Sequence, residues 1–156
     1  LAAWRRRALA TFPELRVEIQ RPEFTIYSLF FELLPMVRSA HERDDGETLR
    51  RIYGFAEWCF SQKAKDLWNA AGVAFYEHLF DEKAYRDDIL SWLSPHVING
   101  CWGLWEARLT RSHFEELRES LAKNRKRLKC LFDVKTEMGF VILIGSAIFA
   151  ALAGCA

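Results

Sequence analysis

The chain reads as all-α: a compact bundle of about six helices around a central antiparallel pair at 47–60 and 64–80, plus a C-terminal hydrophobic helix. Three observations carry that reading. Apolar residues recur at three- and four-residue spacing, whereas β-branched alternation is scarce. Only four Pro and eight Gly interrupt 156 residues, of which 51% are hydrophobic. Helix-start signals recur where the apolar periods begin, at Thr11–Glu14, Asp44–Glu47, Ser94–Pro95 and Ser112–Glu115. The length suits one domain with a tail. We divide it into a basic lead at 1–10, a helical domain at 11–132 and an apolar tail at 133–156.

Residues 1–10 are expected as a frayed helix. Pro13 and Glu14 then open a short helix to Gln20, with Pro in the first turn and Glu at the positive dipole end. Pro22 opens the next helix. Its stripe is Phe24, Tyr27, Phe31, Leu34 and Val37, flanked by Ile26, Phe30 and Leu33. Pro35 inside that stripe predicts a kink or split, because it lacks an N–H and crowds the preceding turn. His41 to Gly46 is polar and is expected as a loop.

The central pair follows. In its first helix Leu49, Ile52, Tyr53, Ala56, Cys59 and Phe60 share a face, widened by Phe55 and Trp58. In its second, Leu67, Trp68, Ala71, Phe75 and Leu79 form one stripe, and Val73, Tyr76 and Phe80 another. A helix apolar nearly all round belongs at the centre of a bundle. The short connection Ser61–Lys65 makes the two antiparallel neighbours. Phe55-x-Glu57-x-x-Phe60 is echoed by Phe75-x-Glu77-x-x-Phe80, but no third copy supports a solenoid.

Beyond the pair, Tyr85, Ile89, Leu90 and Leu93 mark a further helix, and Ser94–Pro95 starts another. Asn99–Gly100 and Gly103 predict a break there, with a second short helix through Trp105 and Leu109. The Ser112–Glu115 capping box opens a long helix with Phe114, Leu117, Leu121 and Leu128 inward.

Net charge is +1, unevenly spread. Residues 1–21 carry five Arg against two Glu, and 22–100 carry eight basic against thirteen acidic residues. Residues 115–135 carry seven basic against four acidic. An acidic body argues against nucleic-acid binding, which needs a broad basic face. Cys59, Cys101, Cys130 and Cys155 form no CxxC pair, which fits a reducing compartment without a disulfide framework. Arg5-Arg6-Arg7 is not followed by an apolar stretch, so no secretion signal is expected. The first residue is Leu rather than Met, as in a fragment or at an alternative start.

No catalytic motif is present: no Gly-rich phosphate loop, no GxSxG and no HExxH. Glu32, Glu57, Glu77 and Glu106 lie on apolar helices, the pattern of a di-iron bundle. Such a site needs Glu-x-x-His, and the residues three before His41, His78, His96 and His113 are Arg38, Phe75, Leu93 and Thr110. The spacing of Cys59, His78, His96 and Cys101 matches no specific metal site, so no metal and no cofactor is expected. Glu57 and Glu77 sit among large apolar side chains, where a carboxylate needs a partner; Arg50, Arg51 and Asn69 are the candidates, with Arg51 and Asn69 completing a buried polar site. The plainer alternative is a pair of structural ion pairs. Trp92, His96, Trp102 and Trp105 form ordinary core, a partner interface or a small-ligand pocket.

Met138–Ala156 contains nineteen uncharged residues, about 28 Å at helical rise and long enough to cross a bilayer. Lys123, Arg125, Lys126, Arg127 and Lys129 precede it and would lie at the membrane surface on the cytoplasmic side. The competing readings are a docked hydrophobic helix and a joined reading frame. Leu152-Ala153-Gly154-Cys155 supports the latter, because it resembles a bacterial lipoprotein signal box, which belongs near an N-terminus.

Residues 11–121 resemble a group of uncharacterised bacterial all-helical domains, of the domain-of-unknown-function type. The resemblance rests on Phe12-Pro13-Glu14-Leu15, on Tyr53-Gly54-Phe55-Ala56-Glu57-Trp58, and on Asn69-Ala70 with Val73 to Leu79. It implies a helical fold and no established catalytic residues, and the tail lies outside it. Three functional expectations stand together. The first is a non-enzymatic protein-interaction domain, of immunity type, that binds another protein through an acidic face. The second is a cytoplasmic domain attached to the inner face of the membrane by residues 138–156. The third is a ligand-binding or enzymatic bundle using Glu57 and Glu77.

Overall fold

The structure, a computed structural model, describes residues 2–81 and 83–124. Among them the chain forms α1 (Ala3–Thr11), a 3-10 turn (Pro13–Leu15) leading into α2 (Arg16–Ile19), α3 (Ile26–Glu42), α4 (Gly46–Phe60) and α5 (Lys65–Ala74). A second 3-10 turn (Tyr76–His78) precedes α6 (Arg86–Trp92), α7 (Pro95–Arg108) and α8 (111–124). No strand occurs among the described residues, as the periodicity requires.

Helices α3, α4 and α5 pack mutually and form the centre. Their contact is aromatic: Phe55 meets Phe12 edge-on at 5.4 Å and Phe30 at 6.0 Å, and Phe30 meets Phe75 at 5.6 Å. Each buried ring removes a large apolar area from water, about 1.5–3 kcal/mol per side chain before entropy is counted. Helix α3 starts at a reciprocal cap between Thr25 and Ser28. It runs through Pro35 unsplit. Pro35 deprives the Phe31 carbonyl of its helical donor, and both residues are exposed, so water can take the vacant place. Asp45 caps α4 by accepting from the Thr48 N–H at 3.0 Å.

The second helix of the pair is shorter than the periodicity predicts. Phe75 (φ −128°, ψ −69°) leaves the helix, and the chain continues as the Tyr76–His78 turn. The turn lets Phe75, Tyr76, Leu79 and Phe80 all bury, which a straight helix apolar on every side could not do against these neighbours. The Tyr76 carbonyl accepts the Leu79 N–H at 3.3 Å, which closes the turn, and the Trp105 indole N–H at 2.7 Å.

Three local expectations are corrected. Helix α7 does not break at Asn99–Gly100. A Cβ at Gly100 would stand 2.7 Å from the Phe60 ring, so the glycine serves close packing within a helix rather than a turn. Helix α8 is capped by Thr110, whose hydroxyl accepts from the His113 N–H at 3.4 Å, and Ser112 already lies inside the helix. The basic lead is a folded helix: Ala8 and Phe12 are buried, and the Arg5 guanidinium donates to four carbonyls, those of Ile19, Arg21, Pro22 and Phe24. Arg51 donates to the Thr11 carbonyl at 2.9 and 2.6 Å and closes the end of α1.

No helix among the described residues is long and apolar enough to cross a membrane. The expectations for the tail at 138–156, and for Arg125, Lys126, Arg127 and Lys129, fall outside the described residues.

Candidate functional site

His41 is the buried polar residue of the described core, and it is not in a loop. It falls four residues after Val37 on α3, so the apolar stripe carries it inward. Its Nδ1 lies 2.5 Å from Asp88 Oδ2 on α6, and its Nε2 lies 2.8 Å from the Tyr53 hydroxyl on α4. A carboxylate can only accept, so Nδ1 carries the proton and donates to Asp88. In the neutral ring Nε2 then accepts from the Tyr53 O–H. One imidazole thus joins three helices. Burial, with the Asp88 charge behind it, pushes the Tyr53 phenol well above its ordinary value and keeps it a donor.

The order carboxylate, imidazole, hydroxyl is that of a hydrolase relay. Here the terminal oxygen belongs to a buried tyrosine that lines no described cavity, so the chain of bonds holds helices together.

Beside His41 is a recess of about 170 Å³, lined by Leu34, Val37, Leu79, Ala84 and Ile89, with Arg38 and Glu42 at its rim. Tyr85 forms its outer wall. That residue adopts a left-handed backbone (φ 59°), rare for a bulky side chain, and its ring stacks on His41 at 6.0 Å with planes 14° apart. Phe31 lies one turn before Leu34 on α3 and is 55% exposed, and Tyr85 is 43% exposed. Asp88 keeps 46% of its side chain exposed despite its bond to His41. The flanking cations Lys83 and Arg86 turn away to Glu116 on α8, at 2.7 and 3.1 Å.

The structure gives the residues expected for a buried polar site separate partners. Arg51 bonds Thr11 and Glu14. Asn69 donates to the Tyr27 hydroxyl at 2.8 Å. Glu77 meets Arg108 at 3.5 Å, and Arg108 grips Asp81 through two bonds of 2.7 and 2.8 Å. The Arg108 hydrogen bond holds the Asp81 carboxyl below its ordinary value. Glu57 is half-buried on α4, near Tyr76.

The tryptophans are likewise distributed. Trp105 is fully buried, and Trp92 stacks on Tyr53 at 5.8 Å. His96 is exposed and touches Phe60, while Trp102 packs half-buried on Phe114 and lines an open groove between α7 and α8. Lys123 is exposed near the end of α8. Cys59 and Cys101 are buried, and burial pushes both thiols up to about 12. Among the described residues no three His, Cys, Asp or Glu side chains converge as metal ligands would.

His41, Tyr53 and Asp88 were not singled out by sequence. The available signal was the four-residue step from Val37 to His41 across what reads as loop composition. Residues 5–106 match a family described as Domain of unknown function (DUF7674). No curated protein and no solved structure matches the chain.

Proposed function

The chain belongs to the DUF7674 domain family, and from that premise we propose that it is a non-enzymatic helical interaction domain that binds another protein through the face of α3 and α6. The observation that carries the reading is the pair of exposed aromatic rings, Tyr85 on the wall of the recess and Phe31, against His78, one turn before Leu34 of its lining. Aromatic side chains kept at a surface cost solvation and repay it at an interface, where they dominate binding energy. The carboxylates of Glu42 and Asp88 stand nearby, and Asp44 and Glu47 follow at the α3–α4 corner, all exposed. An acidic surround of this kind favours a basic partner and speeds its capture. An immunity-type role, in which the domain neutralises a basic effector, is the specific form this takes. Against catalysis, the Tyr53 hydroxyl that ends the Asp88–His41–Tyr53 chain belongs to a buried residue, and every fully buried polar side-chain atom described has a partner.

The test is affinity capture from the source lysate with the wild-type chain and with Phe31→Glu. A polypeptide recovered by the wild type, lost with the variant and released by high salt supports the reading. Equal recovery by both ends it.

A second reading adds a tether. The uncharged run Met138–Ala156 behind a basic stretch favours attachment of this cytoplasmic domain to the inner face of the membrane. Salt-resistant pelleting of the full chain with membranes, against a soluble chain ending at Asp133, is the expected result. Both chains remaining soluble would remove the tether.

A further inference from the structure

We infer that the recess between α3 and α6 seats a single aliphatic side chain, of Leu, Ile or Met size, from a basic segment of the partner. The inference rests on the interaction reading above and names what that face recognises. Size comes first. A dry cavity of about 150 Å³ holds one benzene ring, so the recess of about 170 Å³ takes one side chain and not a helix face.

The chemistry of the walls comes second. Leu34, Val37, Leu79, Ala84 and Ile89 supply no hydrogen-bonding side-chain groups. The polar groups of the lining are His41, whose two nitrogens Asp88 and Tyr53 already take, and Arg38, Glu42 and the Tyr85 phenol, all three on exposed residues. A polar or charged side chain seated on those five apolar residues would lose water and find no partner among them, whereas an aliphatic one loses only apolar contact with solvent.

The rim comes third. Glu42 borders the recess, Asp88 bonds its His41, and the exposed Asp44 and Glu47 follow in the chain, against Arg38 in the lining and Arg43, which meets Asp45. Lys83 and Arg86 sit on either side of Tyr85 in sequence and share the one carboxylate of Glu116, so together they offset only one of those carboxylates and the rim stays net acidic. Residues flanking the anchor are therefore Lys or Arg. The left-handed Tyr85 gives the recess its outer wall, and a bulky residue keeps such a backbone where the surroundings hold it.

The probe is a random dodecapeptide library on phage, selected against the full chain. The expected peptides carry one aliphatic residue between Lys or Arg residues. Ala84→Phe fills the recess from an exposed position and should lower their affinity about tenfold at unchanged melting temperature. Tyr85→Gly keeps the left-handed backbone, removes the wall and should act in the same direction. Glu42→Gln should cost about threefold, and about 0.5 M salt should weaken binding further. Basic peptides weakened by Glu42→Gln and salt but indifferent to Ala84→Phe and Tyr85→Gly overturn the anchor and leave the acidic face standing. Selected peptides indifferent to all three substitutions, or no selected peptide, overturn the anchor too. The wider reading is then decided by the Phe31→Glu capture.

Discussion

Two arginine clasps hold the two ends of this bundle, and they differ in what they grip. At the N-terminal end Arg5 on α1 donates to backbone carbonyls of residues 19–24, and Arg51 closes the end of α1 through the Thr11 carbonyl. At the C-terminal end Arg108 holds Asp81, and Arg86 and Lys83 hold Glu116. A carbonyl does not titrate, and its position is set by the backbone. A carboxylate titrates, and its pairing is screened by salt. The first clasp, whose one carboxylate is Glu14 on Arg51, should therefore be the less sensitive to conditions, while the second, which flanks Tyr85 and the recess, should be adjustable. The adjustable end is also the one that carries the proposed binding wall.

The largest expected effect falls on the first clasp. Arg5→Met removes every donor to those carbonyls at once and should cost about 2–3 kcal/mol, read as a lower urea midpoint with unchanged slope. Arg5→Lys should recover little, because one ammonium cannot span carbonyls that a planar guanidinium fork reaches together. Full recovery by Lys would mean that charge alone, rather than fork geometry, makes this clasp.

Acid should separate the two ends. Asp81 and Glu116 have carboxyls held below their ordinary values of 3.8 and 4.5, by Arg108 and by Lys83 with Arg86. Groups lowered in the folded state stabilise it above the unfolded pKa, and that support is lost as pH falls through the folded pKa. Hydrogen exchange should thus quicken around 76–81 and in α8 as pH drops below those ordinary values, once corrected for intrinsic rates. Exchange in α1 and α2 should lag behind. Simultaneous loosening of both ends would erase the distinction between the two clasps.

How much of this could be read from the letters follows from the same contrast. The central pair was legible because both helices are apolar almost all round, a pattern that needs no partner to be recognised. Ser94–Pro95 was legible because capping is local. The Arg5 clasp was not, since its acceptors are main-chain carbonyls fourteen to nineteen residues away, which no side-chain letter marks. Arg5 therefore counted only as charge in a basic lead. His41 was hidden by its acidic and basic successors, although its register on α3 pointed inward. Gly100 was misread as a turn because its reason, the Phe60 ring, comes from forty residues earlier. Of the candidate site, only the rim charges were visible as an acidic region, while the recess depends on how the chain turns at Ala84–Tyr85.

A smaller effect tests the second clasp directly. Arg108→Gln removes a two-bond grip on Asp81 and a weaker contact with Glu77, at a side chain that remains about one-third exposed. Solvent screening limits such a pair to about 1 kcal/mol or less. The expected readout is a modest fall in melting temperature that shrinks further in high salt. A fall as large as that of Arg5→Met would show that the two clasps are equivalent.

The smallest expected effect divides the two cations on Glu116. The Lys83 side chain is 53% exposed and that of Arg86 is 13% exposed, so water competes far more strongly for the lysine. Lys83 must also give up the freedom of a long flexible stem to keep one bond, which offsets what the bond contributes. Lys83→Gln should leave both the melting temperature and exchange in α8 unchanged. Arg86→Gln should speed exchange in α8, because losing this largely buried fork leaves Glu116 without its better-shielded partner. If Lys83→Gln loosens α8 as much as Arg86→Gln does, burial is not what separates the two cations. The C-terminal clasp would then act as one charge cluster, sensitive to total charge and not to geometry.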